Sequence, residues 1–120
     1  MRQLVELALF TQNVPALAAF YEKLLGGPPV FQSEGMALFQ LDGVHILIHH
    51  NEPPEPGYEA DPDGPPNEDH FAIAVKSLEK DWAETTFDNA PGSVPPATYP
   101  WGRSAYTRDP DGRLVELQET

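Results

Sequence analysis

The stretch LVELALFTQNVPALAAFYEKLLGG, residues 4–27, contains the pattern of one strand followed by one helix. Residues 4–10 are apolar except for Glu6 and are typical of a strand. Asn13 can cap a helix, and Pro15 falls in the first turn, where a missing N–H costs little. Apolar residues then recur at i, i+3, i+4 and i+7 until a Gly-Gly pair ends the helix.

The rest of the chain repeats this unit. Three short strands follow the helix, at about residues 30–32, 36–41 and 44–49, and an Asp-Gly turn joins the last two. The pattern restarts with a strand at 70–75, a helix from Ser77 to near Asn89, and strands near 103–108 and 113–118, again joined by Asp-Gly. The chain therefore indicates a diverged internal duplication. We predict an α+β fold in which two βαβββ modules form one curved mixed sheet, with the helices on its outer face.

Length and composition favour a single domain. The chain has 120 residues, of which 40% are hydrophobic and 22% are charged, so a packed core is expected. We place module one at residues 1–50, a linker at 51–66 and module two at 67–120. The linker has six Pro, two Gly and five acidic residues among its 16 positions, which no regular element tolerates.

The net charge of −12 narrows the functional classes. Nucleic acids and anionic membranes both require Lys and Arg, so neither is an expected partner. A cation or metal ion is attracted by such a chain. The absence of Cys excludes disulfides, thiolate metal sites and Cys nucleophiles. The first residues lack the pattern of a signal peptide, and a cytoplasmic protein is the expectation.

Three ionisable residues stand out on otherwise apolar strands. Successive side chains of a strand point to opposite faces, so Glu6, His70 and Glu116 each lie opposite an apolar face. If these faces meet, the three residues line one cavity. Two carboxylates and one imidazole suit Mn, Fe, Co, Ni or Zn. Alternatively, Glu6 and Glu116 lie at the surface and His70 has a structural role.

Four segments carry a family resemblance: residues 6–21 (ELALFTQNVPALAAFY), 69–75 (DHFAIAV), 100–102 (PWG) and 106–116 (YTRDPDGRLVE). Together they resemble the vicinal oxygen chelate superfamily, which includes glyoxalase I, fosfomycin- and bleomycin-resistance proteins, extradiol dioxygenases and methylmalonyl-CoA epimerase. The resemblance implies that Glu6, His70 and Glu116 are the ligands of a divalent metal ion. It also implies a homodimer and, in many relatives, a site shared between two chains.

The sequence also departs from members of this superfamily. Glyoxalase I has a fourth ligand on the strand that closes module one, and alignment of the two Asp-Gly turns puts Leu47 there. His45 and His49 share the face of Leu47 and are expected to line the pocket, unless a different register makes one of them a ligand. Extradiol dioxygenases have two His ligands, so Glu6 breaks their pattern.

The resemblance implies either an enzyme or a binding protein. An enzyme of lyase, isomerase or dioxygenase type would chelate a small oxygenated substrate through the metal, with Glu116 and Tyr106 as catalytic residues. The alternative, suggested by similarity to bleomycin-resistance proteins, is a non-catalytic protein that binds a cationic drug on aromatic surfaces. For the substrate pocket, we predict the residues Phe10, His45, Leu47, His49, Trp101 and Arg103.

Overall fold

A computed structural model describes residues 1–51, 66–85 and 87–120. Its strands and helices, in chain order, are β1 (Leu4–Thr11), α1 (Val14–Leu25), β2 (Phe31–Gln32), β3 (Met36–Gln40), β4 (His45–His50), β5 (His70–Val75), α2 (Leu78–Thr85), β6 (Val94–Tyr99), β7 (Gly102–Arg108) and β8 (Leu114–Glu119). The predicted linker lies outside the described residues except for its ends, Asn51 and Pro66.

Within these ranges, eight strands form one sheet in the order β2-β3-β4-β1-β5-β8-β7-β6. Each module supplies four neighbouring strands, and antiparallel pairing of β1 with β5 joins the two modules. The first and last strands of each module run parallel, β1 with β4 and β5 with β8, while the other pairs are antiparallel. The predicted α+β fold with a mixed sheet and two βαβββ modules is confirmed.

Each helix packs on its own module. In module one, Val14 and Ala18 of α1 form a buried cluster with β3 and β4, and Leu7 and Leu9 of β1 pack against it. In module two, Leu78 and Trp82 of α2 pack with Val75, Ala105 and Leu117. Because side chains alternate along a strand, residues between these positions face away from the helices. The opposite face of the sheet is therefore free to build a site.

The ends of α1 follow the sequence signals. The Asn13 side chain accepts a hydrogen bond from the Ala16 amide at 3.0 Å, and Gly26 ends the helix in the left-handed conformation with φ of 84°. The two Asp-Gly turns also form, with φ of 78° at Gly43 and 88° at Gly112. Positive φ is the reason glycine is suited to both turns.

Two predictions for module two need correction. Only three of the four predicted strands of module two are assigned positions from the sequence, and the remaining strand, β6, lies in a proline-rich stretch and includes Pro95 and Pro96. It is an edge strand whose pairing with β7 is irregular between Val94 and Ala97, and an edge tolerates residues that lack an N–H. The second helix stops at Thr85, not near Asn89, and residues Phe87–Asn89 form one 3-10 turn.

None of the helices in the described ranges has the length and apolar character needed to span a bilayer.

Candidate metal centre

Glu6, His70 and Glu116 converge on the face of the sheet away from the helices. One potential ligand atom from each lies within 4.8 Å of the others. All three side chains belong to one chain, so a second copy is not needed to bring them together. The exposed fractions of these residues are 8%, 8% and 2%, which excludes the alternative of two surface carboxylates.

The strand register explains this convergence. The β1–β5 pairing sets Glu6 opposite Ala72, and the β5–β8 pairing sets Ala72 opposite Glu116. The two carboxylates therefore lie in one row, separated by the small side chain of Ala72. His70 lies two residues along β5 and points to the same face. This arrangement leaves room between the three polar groups.

Each buried carboxylate accepts hydrogen bonds from neighbouring side chains. Glu116 accepts from His70 Nε2 at 2.9 Å and from Ser104 Oγ at 2.8 Å. Glu6 approaches His45 Nε2 at 2.7 Å and accepts from Gln118 Nε2 at 2.9 Å. Such partners are needed because a buried carboxylate without donors is costly. They also hold both carboxylates in fixed orientations.

The orientation of His70 is suited to metal binding. Its Nδ1 lies 2.7 Å from the backbone carbonyl of Glu68, which can only accept, so Nδ1 carries a proton and Nε2 faces Glu116. Burial lowers the pKa of His70, but hydrogen bonds to Glu116 and Glu68, together with nearby carboxylates, raise it above the usual value. Metal-binding histidines typically have this second hydrogen bond to a carbonyl. A divalent cation would replace the proton on Nε2, and the donor set then fits such an ion.

Tyr106 lies beside the three residues. Its ring meets the His70 ring edge-on at 5.6 Å between centroids. Burial and the neighbouring Glu116 carboxylate raise the pKa of Tyr106 far above its ordinary value. The side chain therefore stays a neutral phenol and can donate a hydrogen bond.

A cavity of about 470 Å³ opens over the three residues. It includes five of the six predicted pocket residues, Phe10, His45, Leu47, His49 and Trp101. The remaining lining residues are Glu6, Ala8, Met36, Leu38, Pro66, Asn67, His70, Tyr106, Glu116 and Gln118. Trp101 is 53% exposed and stacks on Tyr99 at 4.8 Å. The cavity thus combines an acidic centre with apolar and aromatic walls.

Arg103, the sixth predicted pocket residue, lies elsewhere. Its guanidinium donates to Thr98 Oγ1 at 2.9 Å and to Glu79 of α2. Alternation along β7 explains the difference, because Ser104 and Tyr106 point to the site and their neighbours point to the helices. The expectation that Arg103 lines the pocket is therefore corrected.

Sequence reasoning missed Ser104. This fully buried hydroxyl donates to Glu116 and accepts a hydrogen bond from Trp101 Nε1 at 3.0 Å. Its position two residues before Tyr106 places it on the face that carries the site. The available signal was therefore strand alternation, but a serine alone is not distinctive in a sequence.

Leu47 occupies the position expected for a fourth ligand. It pairs with Ala8 across β4 and β1, as Glu116 pairs with Ala72 across β8 and β5. His45 contacts Glu6 instead of completing the set, and His49 Nδ1 lies 2.7 Å from the carbonyl of His50. The resemblance implies four ligand positions, and three of them carry side chains that can bind a metal.

A family model for the Glyoxalase/Bleomycin resistance protein/Dioxygenase superfamily matches residues 3–117. The chain belongs to this superfamily. The match covers both modules and includes Glu6, His70 and Glu116. No curated protein matches the chain significantly.

Solved structures share the superfamily fold at low identity. A superfamily member from Vibrio splendidus is 16% identical, with 100% of both chains covered and a TM-score of 0.66. A methylmalonyl-CoA epimerase from Streptomyces coelicolor, in complex with 2-nitronate-propionyl-CoA, is 14% identical, with 98% and 94% covered and a TM-score of 0.69. A protein from Legionella pneumophila described as an NAD-dependent benzaldehyde dehydrogenase is 19% identical, with 94% and 96% covered and a TM-score of 0.65. At such identities the likeness concerns the fold alone.

Proposed function

We propose that this protein is a metal-dependent enzyme of lyase, isomerase or dioxygenase type. In this proposal Glu6, His70 and Glu116 hold one divalent cation (Zn, Ni, Mn, Fe or Co), and a small substrate chelates it through two oxygens. The observation that carries the proposal is the meeting of three buried metal-binding groups within 4.8 Å at an open cavity.

When bound, such a cation polarises substrate oxygens and stabilises negative charge that develops on them. The two carboxylates would balance its charge, and three protein ligands would leave room for water or a substrate to bind it as well. In this proposal, the carboxylate oxygen of Glu116 that does not bind the cation accepts a proton from the substrate. Tyr106, held as a phenol, donates a hydrogen bond to a substrate oxygen.

Metal titration tests this proposal. Protein stripped of metal is incubated with Ni, Mn, Zn or Fe, and bound metal is measured by elemental analysis and calorimetry. We expect one ion per chain and a large loss of affinity in Glu6→Gln and Glu116→Gln. Glu34→Gln removes an exposed carboxylate outside the cavity and should bind metal like the wild type. A metal ratio near zero for all four ions contradicts the enzyme proposal.

The alternative is a protein that only binds small molecules. The half-exposed Trp101, stacked on Tyr99 at the cavity, favours this function because aromatic faces bind planar or cationic ligands. Titration of metal-free protein with bleomycin, followed by tryptophan fluorescence, tests it. We expect quenching if the aromatic wall suffices for binding and none if a metal is required.

A homodimer is also proposed. Exposed apolar side chains support a contact with a second copy: Phe20 and Leu24 on α1, Phe31 on the edge strand β2, and Val30 just before it. Size-exclusion chromatography with light scattering should give twice the mass of one chain. A monomeric mass at micromolar protein concentration contradicts the dimer.

A further inference from the structure

We infer that the cavity selects neutral or positively charged, largely apolar substrates and rejects those with anionic groups beyond the chelating oxygens. This inference rests on the proposed function, since it describes the substrate that would reach the metal. It differs from that proposal because it concerns the walls of the cavity and the charge they tolerate.

The charges inside the cavity are the first support for the inference. Its lining has two carboxylates, Glu6 and Glu116, while none of the described lining residues is Lys or Arg. A divalent cation would bring this centre to neutrality, with no surplus positive charge for a second anionic group. His45 and His70 already face these carboxylates. The remaining walls are mostly apolar or aromatic, so they would not solvate an anion.

The positively charged side chains of the protein lie outside the cavity. Each of the four arginines pairs with a carboxylate, in the pairs Arg2–Asp81, Arg103–Glu79, Arg108–Glu68 and Arg113–Asp109. Lys23 lies on α1 and Lys80 on α2, the helices of the opposite face, and Lys76 lies in the connection before α2. None of the seven basic residues lines the cavity.

The residues that precede Pro66 in the chain have no cationic side chain either. Pro66 and Asn67 line the cavity, and residues 52–65 precede them in the chain. Those residues include five Asp or Glu and neither Lys nor Arg. With a net charge of −12, the protein as a whole also repels anions.

This charge pattern separates the protein from a structure that shares its fold. The Streptomyces coelicolor epimerase binds a ligand built on CoA, and CoA carries several phosphate charges. Phosphate groups require Lys, Arg or a comparable cluster of donors. A CoA thioester is therefore the kind of substrate that this cavity should reject.

Matched chelators test the inference directly. Three benzohydroxamates share one chelating group and differ at the para position, which carries trimethylammonium, hydrogen or carboxylate. Dissociation constants for the zinc-loaded protein are measured by calorimetry and Trp fluorescence at low and high ionic strength. We expect the carboxylate to bind at least about tenfold more weakly than the other two at low salt, with a smaller gap at high salt. Equal or tighter binding of the carboxylate overturns the inference.

Two variants test whether the charge selection arises from the wall of the cavity. Leu38→Lys puts a cation in the cavity wall and should reverse the order of the charged probes. Leu41→Lys makes the same charge change at an exposed position between β3 and β4, outside the cavity lining, and should leave the order unchanged. Zinc stoichiometry and the thermal midpoint show whether each variant folds, and Met36→Lys replaces Leu38→Lys if the latter does not. Failure of a folded cavity variant to improve anion binding contradicts the inference.

A metal-free experiment separates this inference from the proposed function. Phenylacetate and benzyltrimethylammonium lack a chelating group, so their affinities report the charge of the cavity alone. If the protein binds no zinc but prefers the ammonium probe, the proposed function fails and the charge selection stands. If the protein binds zinc and shows no preference in either assay, the charge selection fails while the proposed function stands.

Discussion

Leu47 holds in the first module the place that Glu116 holds in the second. Each lies on the strand that runs parallel to the first strand of its module, opposite Ala8 and Ala72 respectively. The duplication therefore extends to the register of single residues. One of the two equivalent positions carries a carboxylate, and the other carries an apolar side chain. The candidate centre is consequently asymmetric, with one carboxylate from module one and a carboxylate and an imidazole from module two.

Leu47→Glu should add a fourth potential ligand, which is the third carboxylate of the site, at this position. We expect tighter zinc binding, by at least the ~10-fold that outer-shell changes typically produce. Without metal the variant should be less stable than the wild type, because like charges crowd together. Zinc titration and thermal unfolding with and without zinc measure both effects. Leu38→Glu adds the same charge elsewhere in the cavity, and equal zinc affinity in the two variants would contradict the equivalence.

The hydroxyl of Ser104 should matter for metal affinity. It links Trp101 to Glu116, with hydrogen bonds of 3.0 and 2.8 Å. Ser104→Ala should lower zinc affinity about 10–100-fold, as loss of an outer-shell partner does. Thr107→Val is the control, because it removes another buried hydroxyl of β7 that donates to the Phe87 carbonyl. If both variants bind zinc like the wild type, Ser104 has no role in positioning Glu116.

The turn glycine Gly43 should be intolerant of a side chain. Its φ of 78° is unfavourable for other residues, although no atom lies within 4 Å of the added Cβ. Gly43→Ala should lower the free energy of unfolding by about 1 kcal/mol. Gly27→Ala also meets no atom within 4 Å but has no positive φ, so it should be neutral or slightly stabilising. Urea denaturation distinguishes them, and equal effects would contradict the conformational explanation.

Asp109, in the turn between β7 and β8, should make the stability of the protein sensitive to acid. The backbone amide of Arg113, then that of Asp111 and the Arg113 guanidinium, hold the pKa of this carboxyl below its usual value. Because the pKa is lower in the folded state, the stabilisation is present near neutral pH and is lost as the pH falls through that value. The thermal midpoint of the wild type should exceed that of Asp109→Asn at pH 7, and the two should converge below about pH 4. A constant difference between pH 7 and pH 3 would assign the effect to another group.

Strand alternation explains why much of the site could be predicted. Glu6, His70 and Glu116 each interrupt an apolar strand, and the family resemblance identifies the same residues. The role of Leu47 also followed from aligning the Asp-Gly turns. The three candidate ligands and the position of Leu47 can be recognised in the sequence because they follow from alternation along single strands and from the positions of turns.

Other features depend on contacts that local periodicity does not encode. Strand β6 contains Pro95 and Pro96 and is possible because it lies at an edge of the sheet, which only the strand order reveals. Arg103 is predicted in the pocket, but the direction of its side chain depends on where β7 begins. The bond from Ser104 to Glu116 joins neighbouring strands and requires their register.

The three converging residues come from both halves of the duplicated fold. Glu6 belongs to the first half, whereas His70 and Glu116 belong to the second, and the halves meet where β1 pairs with β5. A cation held by all three residues would link the two halves across the pairing of β1 with β5. By mass action, resistance to heat and to separation of the halves would then rise with the free concentration of the ion. In a medium depleted of that ion, the protein would unfold at a lower temperature.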